Sequence, residues 1–226
     1  MSLEEWGRGG KMIEKNQFRQ TIKENPLLAI LRNIDDDKLI QYVQTIMDGG
    51  IRFFEVALNS QNAFQQIEKL KANFKEDILL GAGTVITKEL AQNAIEAGAD
   101  FLLSPSTDIQ VLDYCSKNQI AFLPGALTAS EVTTCMEYGY KDIKLFPAGS
   151  MPVSYVKSLK GPLDETEYVA IGGVTAENIA DFFDNGYIGV GMGSNLLPRE
   201  IVRNKEWKQG TEYVQQLLKK IEGVKE

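Results

Sequence analysis

Phe101-Leu102-Leu103-Ser104-Pro105, a helix-patterned stretch from Asp108 to Lys117, then Ala121-Phe122-Leu123-Pro124-Gly125: this passage holds one complete period of the fold. A short run that is apolar on both faces ends in a turn signal. A helix follows, and a second apolar run begins. Such strands suit parallel pairing beneath a helical layer. Downstream, Thr128 caps a helix to Tyr138-Gly139, and Asp142-Ile143-Lys144-Leu145-Phe146-Pro147 is the next strand. A helix follows Pro152 to about Lys160, and Tyr168-Val169-Ala170-Ile171 leads into Gly172-Gly173. Thr175 to Asn178 starts a helix that stops at Asn185-Gly186. Ile188 to Gly191 leads into Met192-Gly193-Ser194, and a final helix covers about Glu206 to Glu222.

Upstream the period is the same. Ile13 to Lys23 reads as a helix, and Leu27 to Leu31 is an apolar run ending in Arg32. Asp35-Asp36-Asp37 caps a helix through Met47 that Gly49-Gly50 stops. Arg52 to Ala57 is a strand, and a helix follows Asn59-Ser60 to about Ala72. Ile78-Leu79-Leu80 runs into Gly81-Ala82-Gly83-Thr84-Val85, and Thr87 caps a helix ending at Ala97-Gly98. Eight strand–helix units predict a (β/α)8 TIM barrel. An open flavodoxin-like or Rossmann sheet is the rival, but no break divides the chain into halves. The 226 residues are expected to form one domain, with residues 1–11 a disordered leader.

The totals narrow the function. A net charge of −7 argues against nucleic acid and anionic membrane as partners. No stretch is apolar enough to span a membrane, and the polar N-terminus lacks a signal-peptide core. The two cysteines, Cys115 and Cys135, show no CxxC spacing and read as reduced thiols of a cytoplasmic protein. There are no histidines, so imidazole chemistry is excluded and proton transfer falls to Glu, Asp, Lys, Tyr or water. No metal or cofactor site is expected. Gly81-Ala82-Gly83 lacks the third glycine and the acidic residue of a dinucleotide fingerprint.

In a barrel, chemistry sits at the C-terminal ends of the strands. The polar residues there are Arg32, Glu55, Asn59, Thr84, Ser104, Lys144, Gly172-Gly173 and Gly193-Ser194. Lys144 lies in an apolar strand. It reads either as a lysine snorkelling from the strand end or as one whose pKa is lowered by desolvation. A lysine that is partly neutral is a Schiff-base former. Glu55, in Phe53-Phe54-Glu55-Val56-Ala57, is either the partner of a buried cation or a proton carrier facing Lys144. The pair suits imine chemistry on a 2-keto acid. The glycine-rich turns after the last two strands read as a phosphate cradle at helix N-termini, and the Thr84 hydroxyl is available to a carboxylate.

These residues carry a resemblance. Ala29-Ile30-Leu31-Arg32, Phe54-Glu55-Val56, Gly81-Ala82-Gly83-Thr84-Val85, Ser104-Pro105, Pro124-Gly125, Lys144-Leu145-Phe146-Pro147, Gly172-Gly173-Val174 and Gly191-Met192-Gly193-Ser194 resemble the 2-keto-3-deoxy-6-phosphogluconate aldolases. These are the KDPG/KHG aldolases, class I enzymes that are typically trimeric. The match runs from about Leu27 to Leu196. It implies Lys144 as the imine lysine, Glu55 as proton carrier, Thr84 and Arg32 on the pyruvyl carboxylate and Phe146 as a pocket wall. It also implies phosphate on Gly172, Gly173 and Ser194, with Gly193 in the same turn. Ser104 and Pro105 belong to the substrate-binding set. The implied substrate is a 2-keto-3-deoxy sugar-acid phosphate cleaved to pyruvate and glyceraldehyde 3-phosphate by a homotrimer.

Two positions depart from the gluconate pattern. Asn59 stands where many members carry arginine, and Ile171 where they carry threonine. Both changes resemble the 2-dehydro-3-deoxy-6-phosphogalactonate enzymes, so that epimer is the close alternative. 4-Hydroxy-2-oxoglutarate is another. Two rivals of other classes are a metal-dependent sugar-phosphate barrel and a non-catalytic sensor. The first lacks the Asp-x-Lys-x-x-Asp strand such decarboxylases use. The second would bind ligand without turnover.

Overall fold

The computed structural model describes residues 13–225; the leader expected over residues 1–11 lies outside them. Nine strands lie among the described residues, each followed by a helix except β5: β1 Leu27–Leu31, β2 Phe53–Ala57, β3 Leu79–Gly83, β4 Phe101–Leu103, β5 Phe122–Leu123, β6 Gly125–Ala126, β7 Asp142–Leu145, β8 Glu167–Ile171 and β9 Gly189–Met192. All pair in parallel, in the order β5-β4-β3-β2-β1-β9-β8-β7-β6. Only Pro124 separates β5 from β6, the two ends of that order, so the sheet curls into a nearly closed barrel. Proline has no N–H for the ladder. Its carbonyl still accepts from the Lys144 N–H at 2.9 Å.

The helices are α1 Phe18–Glu24, α2 Leu39–Asp48, α3 Ala63–Phe74, α4 Lys88–Glu96, α5 Ile109–Lys117, α6 Ala129–Glu137, α7 Tyr155–Lys160, α8 Ile179–Asp184, α9 Arg199–Asn204 and α10 Trp207–Lys225. Thr87 and Asp108 cap α4 and α5 through their side chains, and Thr128 with Glu131 forms a capping box on α6. The three aspartates before α2 do not cap it. Asp36 accepts from Gln66 and Asn62 instead, tying that loop to α3, and Asp35 pairs with Lys38. The expected first helix is shorter at its start, where Lys15–Gln17 forms a 3-10 turn. The short helix α9 was not expected.

Side chains alternate between two apolar layers. Phe54, Val56, Ile143 and Leu145 pack outward under the helices. Leu28, Ile30, Phe53, Phe101, Leu103 and Val169 fill the interior. Phe18 of α1 closes the bottom of the barrel, its ring 6.3 Å from that of Phe53 and 5.3 Å from that of Phe101. Arg19, one residue on, holds Asp142 at the start of β7 at 2.5 Å. The bottom is thus sealed by hydrophobic packing, and the open end is the C-terminal one. No helix among the described residues is long and apolar enough to cross a membrane.

Candidate active site

The alternation decides where two charges go. Phe53 is interior and Phe54 and Val56 are not, so Glu55 points into the barrel. By the same parity Lys144 points inward between Ile143 and Leu145. β2 and β7 lie on opposite sides of the barrel, with three strands between them, so the two side chains converge. Glu55 is 0% exposed and Lys144 4%.

Neither side chain forms an ion pair within 4.0 Å among the described residues, and neither Glu55 oxygen has a hydrogen-bond partner. Burial therefore acts on both charges. It pushes the Glu55 carboxyl up, against the pull of Lys144 and Arg32. It pushes the Lys144 ammonium down, with Glu55 opposing and Arg32 adding to the effect. The result is a lysine more easily deprotonated and a carboxyl more easily protonated than usual. Such a pair can exchange a proton with a reactant and leave a free amine. The Phe146 ring covers the lysine, its centroid 5.3 Å from Nζ.

Gly83 explains how the carboxylate fits. A Cβ there would lie 1.5 Å from Glu55 Oε1. No other residue leaves room for the Glu55 head in that place. Thr84 follows with φ +63°, a left-handed conformation that is costly for a β-branched residue. Backbone bonds hold it on both sides, from Leu58 N–H to the Gly83 carbonyl at 2.9 Å and from Val85 N–H to the Leu103 carbonyl at 3.0 Å. Its hydroxyl donates to Asn59 Oδ1 at 3.4 Å. Arg32 is exposed just beyond β1, with its charge felt by both Glu55 and Lys144.

A cleft of about 640 Å3 adjoins the site through Phe146, the ring over Lys144; Lys144, Glu55, Thr84 and Asn59 themselves are not in its lining. It is lined by Arg32, Phe146, Ile171, Gly172, Gly173, Gly193 and Ser194 among the predicted residues. Gly172 and Gly173 have φ of +87° and +83°, so glycine is required at both. Gly149, which sequence reasoning missed, donates to the Gly172 carbonyl at 2.7 Å, and a Cβ on it would lie 2.8 Å from Gly173 Cα. The Gly173 and Ser194 N–H groups donate to no acceptor among the described residues. The cradle differs from the expected one: α8 begins only at Ile179 and α9 at Arg199, so turns rather than helix N-termini present these donors.

Ser104 and Pro105 are not in the cleft lining. The buried Ser104 hydroxyl donates to the Ser106 carbonyl at 2.6 Å and accepts from the Gly125 N–H at 3.1 Å. Pro105 packs on Gly125, where a Cβ would lie 2.4 Å from its carbonyl carbon. Both support the corner that leads to β6. Among the described residues, no group of three His, Cys, Asp or Glu is placed to hold a metal.

The KDPG and KHG aldolase family profile matches residues 18–213. The 2-dehydro-3-deoxy-6-phosphogalactonate aldolase of Escherichia coli K12 is 34% identical over 172 residues, 76% of this chain and 84% of that one. The 2-dehydro-3-deoxy-phosphogluconate aldolase of Pseudoalteromonas atlantica is 28% identical over 211 residues, 93% and 98% of the two chains. Among solved structures, the KDPG aldolase of Legionella pneumophila, with pyruvate captured at low pH as a covalent carbinolamine, superposes with a TM-score of 0.83. It is 27% identical, over 89% of this chain and 98% of that one.

Proposed function

The chain belongs to the KDPG and KHG aldolase family, and from that premise we propose that it is a class I aldolase cleaving a 2-keto-3-deoxy-6-phospho sugar acid to pyruvate and glyceraldehyde 3-phosphate. The observation that carries this reading is the buried, unpaired Glu55 beside a buried Lys144 at the open end of the barrel. We count β5 and β6 as one strand interrupted at Pro124, which makes the fold a (β/α)8 barrel in a single domain.

In this reading neutral Lys144 attacks the C2 carbonyl, and the carbinolamine loses water to give an iminium. Glu55, directly or through water, takes the proton of the C4 hydroxyl. The C3–C4 bond breaks, and its electrons pass into the iminium as an enamine. The aldehyde leaves, C3 is protonated, and hydrolysis frees pyruvate and the lysine. Arg32 and Thr84 hold the carboxylate, Phe146 walls the pyruvyl end, and Gly172, Gly173, Gly193 and Ser194 take the phosphate. The carbinolamine of the Legionella pneumophila relative supports the route. Borohydride trapping with pyruvate followed by peptide mass spectrometry tests it. A reduced pyruvyl adduct is expected on the Lys144 peptide. Phosphate binding without an adduct would leave a binding barrel in its place.

The gluconate epimer is the reading taken from the resemblance. The galactonate epimer is the second, favoured by Ile171. That side chain lines the cleft and presents no hydroxyl, and it packs against Gly191, where a Cβ would lie 2.8 Å from Ile171 Cγ1. Ile171→Thr is expected to shift the ratio of the two specificity constants toward the gluconate epimer by about tenfold. An unchanged ratio would remove Ile171 from that role.

The resemblance also implies a homotrimer. Among the described residues, Ile86 and Ile109, 47% and 60% exposed, are the large apolar side chains available for such a contact. Sedimentation is expected to give the mass of three chains, and a monomer would end this reading.

A further inference from the structure

The cleft has a charge distribution unlike that of the chain. The sequence carries 31 acidic residues against 24 basic ones. The cleft lining holds Arg32, Lys38, Arg199 and Arg203, and no Asp or Glu. Two of these cations have partners: Lys38 pairs with Asp35 at 2.6 Å and Arg203 reaches Glu200 at 3.9 Å. Arg32 and Arg199 have no carboxylate within 4.0 Å among the described residues. Arg32 belongs to the end of the site near Glu55 and Lys144. Arg199 comes from a different part of the chain. It is the first residue of α9, just past Pro198, and it shares the lining with Gly193, Ser194 and Asn195. It also lines the adjoining depression, which holds Thr175, Glu177 and Tyr213, so it sits on the rim between the two hollows; Glu177 is not within 4.0 Å of it.

A glycine cradle supplies N–H dipoles but no net charge. A phosphate monoester is close to a dianion at neutral pH, and here it approaches a chain of net charge −7. A full positive charge beside the cradle offsets that repulsion. A guanidinium fork also matches two phosphate oxygens, and a charge-assisted pair of this kind is stronger than a bond to a neutral donor. We infer that the Arg199 side chain binds the terminal phosphate of the substrate and sets the preference for phosphorylated over unphosphorylated keto acids. This rests on the proposal that the glycine turns hold the phosphate. It adds a residue outside the strand-end motifs, on an element that sequence reasoning did not foresee.

The test compares wild type with R199Q and R199K on three readouts. For cleavage of the phosphorylated six-carbon acids, R199Q is expected to lower kcat/KM roughly tenfold to a hundredfold, mainly through KM, with R199K recovering part of the loss. For borohydride trapping of unphosphorylated pyruvate on Lys144, R199Q is expected to match wild type. For inorganic phosphate titrated into the unliganded protein and followed by calorimetry, R199Q is expected to bind more weakly by a similar factor. Unchanged phosphate binding in R199Q would overturn the inference. So would equal losses in cleavage and pyruvate trapping, which would mark Arg199 as a structural residue. Failure of wild type to trap pyruvate would instead strike the aldolase reading. The phosphate titration would still judge Arg199.

Discussion

Lys144→Ala is expected to lower aldol cleavage by at least roughly 10⁴-fold, the scale on which enzymes lose rate when a covalent nucleophile is removed. Lys38 also lines the cleft, but it is paired with Asp35 at 2.6 Å. Among the described residues, Lys144 is the one buried lysine, 4% exposed in the barrel wall. Borohydride should then fix no pyruvate on the chain. The variant should still fold, since it removes a charge whose burial is unfavourable and leaves the apolar neighbours Ile143 and Leu145 in place. Circular dichroism and phosphate binding separate a chemical defect from an unfolded one. The wild-type enzyme should show the matching pH behaviour. Burial lowers the Lys144 pKa, so the fraction of free amine rises with pH through that lowered value. The rate of pyruvate trapping should therefore rise over a range below that of an ordinary lysine. Cleavage by K144A at the wild-type rate would end the imine mechanism.

Glu55→Gln should give the second largest effect, a loss of about 10²-fold or more in kcat. The amide is nearly the same size and so fits the space over Gly83, but it cannot accept and return a proton. Pyruvate should still be trapped on Lys144, because the lysine and the carboxylate-binding end are untouched. A split between retained adduct and lost turnover would assign Glu55 to proton transfer. An unchanged kcat would take that role away from it. Loss of both would mean that Glu55 chiefly sets the protonation of Lys144, the coupling that each exerts on the other through the barrel.

Much of this was legible in the residues. Caps at Thr87, Asp108 and Thr128 mark helix starts because one side-chain oxygen satisfies a local N–H, a relation contained within four residues. That Glu55 shares a face with Phe53, and that Lys144 lies on the face opposite Ile143 and Leu145, follows from strand parity, which is also local; which face is the interior shows only in the packing. What was not legible depends on distant partners. Asp36 has the composition of a cap, but its oxygens go to Gln66 and Asn62. Ser104 looks like a strand-end donor, but its hydroxyl is consumed by Ser106 and Gly125. Gly149 is recognisable only once the atoms that crowd it are known. Arg199 gave no signal, since an isolated arginine after a proline has no pattern. Its meaning comes from the absence of carboxylates around a cleft built by several elements.

The last helix bears on how this protein can be handled. α10 packs against α2, α8 and α9, and Gly210 lets it approach so closely that a Cβ would lie 2.8 Å from Thr45 Cγ2. The loops entering α2 and α8 carry Arg32 and the Gly172-Gly173 turn, and α9 begins with Arg199. A tether or bulky label pulling on α10 therefore loads three parts of the cleft wall at once. The side of the barrel closed by α1 faces away from that opening. A surface or scaffold attached there would leave the mouth unobstructed and its walls unstressed.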